Sequence, residues 1–317
     1  MIGGMLVQVV LLIVGFILLM KGADVFVEGA SKVALKFHIP QIVIGLTIVA
    51  FGTSAPEAAI SITSAIKGSS DLAVGNVIGS NIMNVLLILG ITGCITSLRV
   101  KKNTYKYEIP FVIVITGLLI LLGMNGNSID FADGLILWAC FLLFLFYLYR
   151  LTKKGEETSL DEVEELTEKD TALRLILMLI LGMAAIVVGS QVTIDAATNI
   201  AKALGISQRI IGLTIVAFGT SLPELITSVT AGLKGKDDLS VGNIVGSNIF
   251  NILFVLGTTA LVSPTPVAFK SSFIIDGLVA IAAMVLFFVF INKNYRLRKI
   301  GAIVMLVGYM AYFISIL

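Results

Sequence analysis

Apolar segments long enough to cross a bilayer recur ten times along this chain, and nothing else in the sequence limits the fold as strongly. They lie near residues 4–35, 42–67, 71–97, 106–123, 131–150, 171–203, 209–234, 238–262, 272–291 and 297–315. A hydrocarbon core about 30 Å thick needs roughly 20 mainly apolar residues per helix. Barrel strands would show about ten residues of alternating polarity instead. Of 317 residues only 13% are charged and 57% are hydrophobic, whereas a soluble domain carries about 25% charged residues. That leaves too little polar surface for a soluble enzyme or a disordered scaffold, and a net charge of +2 gives no basic footprint for nucleic acid. Cys94 and Cys140 both fall in apolar runs, which argues against a disulfide framework or a zinc site. No basic residue precedes Lys21, so the first run lacks a signal peptide's charged start and reads as a retained helix. The expected class is an all-α integral membrane protein with the lipid bilayer as its partner.

Basic residues set the expected orientation. With the N-terminus outside, 17 lysines and arginines collect on one face, among them Lys32, Lys36, Arg99, Lys101, Arg174 and Lys299. The other face holds Lys67, Lys202, Arg209 and Lys270. The positive-inside rule makes the crowded face cytoplasmic and both termini extracellular, in a cell-membrane protein. Residues 151–170 form an acidic linker with Glu156, Glu157, Asp161, Glu162, Glu164, Glu165, Glu168 and Asp170. A like-charge run without EF-hand spacing reads first as a solvated tether and second as a regulatory calcium site.

A shift of 167 residues superimposes the chain on itself. Ile44 to Ser54 recurs unchanged as Ile211 to Ser221, Pro56-Glu57 as Pro223-Glu224, and Gly79-Ser80-Asn81-Ile82 as Gly246-Ser247-Asn248-Ile249. Asn84 and Asn251 follow, and 31 of 49 positions agree between 44–92 and 211–259. Such self-similarity marks a true repeat. The chain divides into a first five-helix repeat at 1–150, the linker at 151–170 and a second at 171–317. Five is odd, so the copies must enter the membrane from opposite sides, giving two inverted five-helix repeats. Secondary transporters use that plan, with sites near the midplane between the halves. A duplicated structural bundle without transport is the blander alternative, but the repeat is strongest where the sequence is polar.

Glu57 and Glu224 fall near the centres of the second and seventh segments. An ionised acid at helix centre costs a few kcal/mol and usually marks an ion path or a paired charge. No lysine or arginine lies at matching depth in the motifs to pair with them. Two unpaired glutamates would repel, and a bound cation removes the conflict. Pro56 and Pro223 each delete a backbone donor and disturb the preceding turn, freeing carbonyl oxygens. Gly52 and Gly219 ease that irregularity, and Thr53, Ser54, Thr220 and Ser221 add hydroxyls. Ser80 with Asn84, and Ser247 with Asn251, stand four apart on one helical face. Taken singly, such polar residues often serve only interhelical hydrogen bonds. As two matched sets of hard oxygens without His, Cys or Met they suit calcium, magnesium or alkali ions. Two carboxylates with carbonyls and water can complete a calcium shell.

Gly52-Thr-Ser-Ala-Pro-Glu57 and Gly219-Thr-Ser-Leu-Pro-Glu224, each followed by Gly-Ser-Asn-Ile-x-Asn, resemble the α-repeats of the sodium/calcium exchanger family in the cation/calcium antiporter superfamily. The resemblance implies a prokaryotic exchanger that extrudes Ca2+ against Na+, with the second, third, seventh and eighth helices around the ions and the long first and sixth sliding across them. It implies Glu57, Glu224 and the carbonyls of Thr53 and Thr220 as calcium ligands. Sodium would be held by Ser54, Ser80, Ser221, Ser247, the carbonyls of Ala50 and Ala217, and the glutamates. Asn84 and Asn251 take the central positions, holding water or an ion. Potassium-dependent members carry Asp where Asn251 stands, so potassium coupling is not expected. Proton-coupled relatives show Asn where Thr53 or Thr220 stands, which places an H+/Ca2+ antiporter second. A calcium channel or a calcium-sensing receptor is the reading from a different class, and flux that saturates and needs a counter-ion gradient separates it from a carrier. No GxxxxGK[ST] loop offers an ATP site, so neither an enzyme nor a cofactor is expected. A monomer is the default unit.

Overall fold

The computed structural model describes residues 2–153, 166–206, 215, 217–291 and 293–316, whose regular elements are helices, one short strand pairing and two isolated bridges. The helices are α1 (Ile2–Lys36), α2 (Gln41–Thr53), α3 (Ala55–Ile66), α4 (Ser70–Ile95), α5 (Thr104–Met124), α6 (Phe131–Lys153), α7 (Ala172–Ala203), α8 (Ala217–Thr220), α9 (Leu222–Leu233), α10 (Asp237–Val262), α11 (Ser272–Phe290) and α12 (Lys299–Ile316). Eight are long and apolar enough to cross a membrane, and the bent pair α2–α3 raises the number to nine. Outward-facing Leu6, Val10, Ile13, Ile17, Leu173 and Ile180 are exposed, as suits a surface solvated by lipid. The expected seventh segment is described from Ala217 onward. Its start, with Arg209 and residues 211–214 and 216 of the repeated motif, and the acidic residues between 154 and 165 lie outside the described residues.

A break in the helix lies just ahead of Pro56 and of Pro223. α2 and α3 meet at a 50° bend, centred on Ser54 at φ −85°, ψ 5°, and Ser221 ahead of Pro223 has nearly the same conformation, φ −91°, ψ 6°. Pro56 and Pro223 sit in the first turn of the following helix, where a missing N–H is no loss. α3 and α9 close alike. Gly68 at φ 86° and Gly235 at φ 68° adopt the left-handed conformation that ends a helix. Ser69 N then bonds Ser64 O at 2.9 Å, and Lys236 N bonds Ala231 O at 2.8 Å. The sequence did not announce the π-helical turns inside α4 (Asn84–Ile88) and α10 (Asn251–Leu256). Both begin on the paired asparagines, and such turns cluster at functional sites.

α1 and α7 pack together along their length through a seam of glycines. Gly15, Gly22 and Gly29 stand seven apart on α1, and Gly182 and Gly189 seven apart on α7. A Cβ on Gly22 would lie 2.9 Å from both Gly182 O and Ile186 N, and one on Gly189 would lie 2.8 Å from Leu19 N. Those neighbours are backbone and cannot turn aside, so small residues are what let the helices approach. Gly22→Val is therefore expected to cost about 1–3 kcal/mol of stability through overpacking. A thermal melt of the purified protein checks this, and an unchanged midpoint would mean that the seam is not tight.

Loops stitch the two halves. β1 (Ser128–Ile129) pairs antiparallel with β2 (Val267–Ala268), and Arg99 bridges Arg296. At the start of α7 the buried Asp170 accepts from the Thr167 N–H and hydroxyl at 2.9 Å and pairs with Lys32 of α1 at 3.4 Å. The Thr167 N–H is the main reason the Asp170 carboxyl is held below the usual carboxylate range, against the opposing effect of burial. The linker's end is thereby tied to α1.

Candidate cation site

Glu57 and Glu224 stand in the first turn of α3 and α9, each only 1% exposed. The positive end of a helix favours a negative group there. No salt bridge among the described residues reaches either carboxylate. The serines at the two breaks reach across instead. Ser54 Oγ donates to Glu224 Oε1 at 2.9 Å, and Ser221 Oγ donates to Glu57 Oε1 at 3.4 Å. The second oxygens, Glu57 Oε2 and Glu224 Oε2, are buried with no hydrogen-bond partner among the described residues.

Two further asparagines hold the helices that carry the glutamates. Asn76 Nδ2 donates to Glu57 O at 3.3 Å and to Ser61 Oγ at 3.0 Å. Asn243 Nδ2 does the same for Glu224 O at 3.4 Å and Ser228 Oγ at 2.9 Å. The Thr53 hydroxyl lies 2.9 Å from Asn243 Oδ1, so it too crosses to the other half. Ala50 O accepts the Ser54 N–H at 3.0 Å, with the Thr53 hydroxyl 3.3 Å away. The second half adds a contact: Ser190 of α7 donates to Gly219 O at 2.9 Å, on the carbonyl whose helical partner Pro223 removes.

Where α4 and α10 meet, Asn81, Asn84, Asn248 and Asn251 form a buried cluster. Asn84 Nδ2 donates to Asn248 Oδ1 at 3.0 Å, and Asn251 Nδ2 donates to Asn81 Oδ1 at 3.1 Å. Asn84 Oδ1 and Asn251 Oδ1 are then left buried without a partner among the described residues, as is Ser247 Oγ. Ser80 and Thr220 are buried as well.

Buried polar atoms are nearly always hydrogen-bonded, so a set of orphaned oxygens asks for an explanation. Here the set consists of two carboxylate and two amide oxygens and one hydroxyl, matching the hard-oxygen chemistry expected from the sequence. No group of three or more His, Cys, Asp or Glu occurs among the described residues, so the negative charge rests on two glutamates. The structure brings Ser54 to Glu224 and Ser221 to Glu57, and it joins Asn84 to Asn251 through Asn81 and Asn248. The side chain of Ala217 lies outside the described residues. Sequence reasoning assigned no role to Asn76, Asn243, Ser61, Ser228, Asn81, Asn248 or Ser190. For all but Ser190 the signal was present, since each recurs unchanged at the 167-residue shift within an apolar helix.

A multi-span helical fold around two buried carboxylates, without a salt bridge among the described residues, places the chain among membrane ion transporters. It belongs to the sodium/calcium exchanger protein family, which it matches over residues 7–150 and 174–317. It is 38% identical to the inner membrane protein YrbG of Escherichia coli K12, over 87% of each chain. It is 30% identical to the sodium/calcium exchanger MaX1 of Methanosarcina acetivorans, over 97% of this chain and 98% of that one. Among solved structures, the sodium-calcium exchanger NCX_Mj soaked with zero Na+ and Ca2+ superimposes with a TM-score of 0.84 at 30% identity, covering 98% of this chain and 99% of the other.

Proposed function

We propose that this protein is a secondary antiporter of the cell membrane that exchanges Na+ for Ca2+ by alternating access, electrogenically and without potassium. The observation that carries the reading is a set of buried, unpartnered oxygens that includes two carboxylates with no salt bridge among the described residues. Glu57 and Glu224, with the carbonyls of Thr53 and Thr220, hold Ca2+. Ser54, Ser80, Ser221, Ser247 and the carbonyls of Ala50 and Ala217, with the same glutamates, hold Na+. Asn84 and Asn251 line the centre with neutral amides, so no third carboxylate is present to recruit K+. Calcium brings the site close to neutral, and about three Na+ would leave one positive charge, so each cycle moves net charge worth about 2.3 kcal/mol per 100 mV. A negative interior favours calcium exit.

In this reading ten spans form two inverted five-helix halves, 1–150 and 171–317, with the 151–170 linker cytoplasmic and both termini outside. The crossed contacts between equivalent residues support that plan. The functional test is 45Ca2+ uptake into vesicles holding the purified protein, under imposed Na+, H+ or K+ gradients. Uptake must saturate and must need the counter-ion gradient, whereas a channel would pass Ca2+ without one. Topology has a separate check. A cysteine placed at Ser159, after removal of Cys94 and Cys140, should resist an impermeant thiol reagent in intact cells and react after lysis. Strong labelling from outside would reverse the orientation.

A further inference from the structure

We propose that Asn81 and Asn248 are positioning residues that fix which end of each central amide faces the ions, Asn248 acting on Asn84 and Asn81 on Asn251. The proposal rests on the reading that Asn84 and Asn251 line the site. A carboxamide presents an oxygen at one end and two N–H donors at the other, with nearly the same shape. A cation is attracted by one end and repelled by the other, and sterics alone do not choose between them.

The choice is made by a relay that starts at a backbone carbonyl, which can only accept. Asn248 Nδ2 donates to Asn81 O at 3.3 Å, so Asn248 Oδ1 points the other way and accepts Asn84 Nδ2 at 3.0 Å. Asn84 Oδ1 is thereby turned away from the relay and keeps no partner. The mirror relay runs from Asn248 O through Asn81 Nδ2 at 3.2 Å, then from Asn81 Oδ1 to Asn251 Nδ2 at 3.1 Å, leaving Asn251 Oδ1 free. Flipping any one amide would set oxygen against oxygen, or N–H against N–H, between residues no more than 4% exposed. A buried donor or acceptor left unmade is expensive, so the polarity of the fixed carbonyls propagates to the ion-facing oxygens. The glutamates supply charge, and the relay supplies the sign of the dipoles beside them.

The test uses double variants of the full-length protein in vesicles, with apparent Ca2+ and Na+ affinities as readout. Asn81→Leu keeps the volume but removes the acceptor that holds Asn251, and ion affinity should fall about tenfold. Adding Asn251→Asp should restore it, because a carboxylate shows oxygen at both ends, whereas adding Asn84→Asp should not. Asn248→Leu should behave conversely, rescued by Asn84→Asp and not by Asn251→Asp. Asn81→Ser and Asn248→Ser carry the same comparison if the leucine variants fail to reach the membrane. Rescue by either aspartate alike, or by neither, would overturn the orientation proposal, since a merely structural role predicts no crossed pattern. If Asn84→Asp and Asn251→Asp alone leave both ion affinities unchanged, the central-site reading falls and the proposal falls with it.

Discussion

Glu57→Gln and Glu224→Gln are each expected to reach the membrane folded and to lose calcium transport. Glutamine keeps the volume of glutamate, and both side chains are buried among neutral partners, so removing a charge does not strand an opposite one. The loss should exceed that of one ligand atom. Ser54 donates to Glu224 Oε1, and the glutamine oxygen is the end that can keep that bond. Its amide group then points where Glu224 Oε2 had been, aiming two N–H donors at the ion. The same holds for Ser221 and Glu57. Truncating one partner of a buried charge pair costs roughly 2–5 kcal/mol, or about 30-fold to about 4,000-fold in affinity. Calcium flux by the folded variants in vesicles measures the effect. Normal exchange in either would remove the carboxylate pair from the mechanism.

The second large effect concerns the driving ion. An outward Na+ gradient should drive calcium uptake in vesicles, while a pH gradient in sodium-free medium should drive little. Hydroxyls at Ser54 and Ser221 are oriented by the glutamates they touch and can ligate Na+ without changing protonation. Proton coupling would instead require Glu57 and Glu224 to bind and release protons in every cycle. Protons and Ca2+ compete for the same carboxylates, so acidic medium should inhibit sodium-driven exchange. Replacing potassium with an inert cation should leave the rate unchanged, given neutral amides at Asn84 and Asn251. Uptake that runs on a pH gradient without sodium would move the assignment to the proton-coupled class.

Much of this was legible because membrane burial makes polar residues conspicuous. Length and hydropathy marked the spans, Pro56 marked the bend, and the 167-residue shift picked out Glu57, Glu224, Asn84 and Asn251 from apolar surroundings. What could not be read was who serves whom. Ser54 lies three residues from Glu57 in sequence, yet its hydroxyl belongs to Glu224, because the bend at Ser54 turns it toward the other half. Asn76 and Asn243 look like further candidate ligands, but their Nδ2 groups hold backbone and serine oxygens, and Asn243 Oδ1 lies 2.9 Å from the Thr53 hydroxyl. The π turns that begin at Asn84 and Asn251 were not legible in the sequence. Gly22 and Gly189 were recognisable as equivalents, whereas the actual neighbours, Gly22 with Gly182 and Gly15 with Gly189, follow only from the antiparallel contact.

The crossed contacts have a consequence for ancestry. Ser54 serves Glu224 as Ser221 serves Glu57, and Asn84 leans on Asn248 as Asn251 leans on Asn81. In these four contacts each half receives what it also donates, which is the rule for the self-complementary interface of a twofold dimer. A half-length polypeptide present twice would carry every residue needed for that contact list. One copy alone would leave each glutamate without its serine and each central amide without its acceptor. Fusion into one chain removes the demand that both copies stay identical. Ser190 now donates to Gly219 O, while its equivalent on α1, Ala23, has no hydroxyl to offer Gly52.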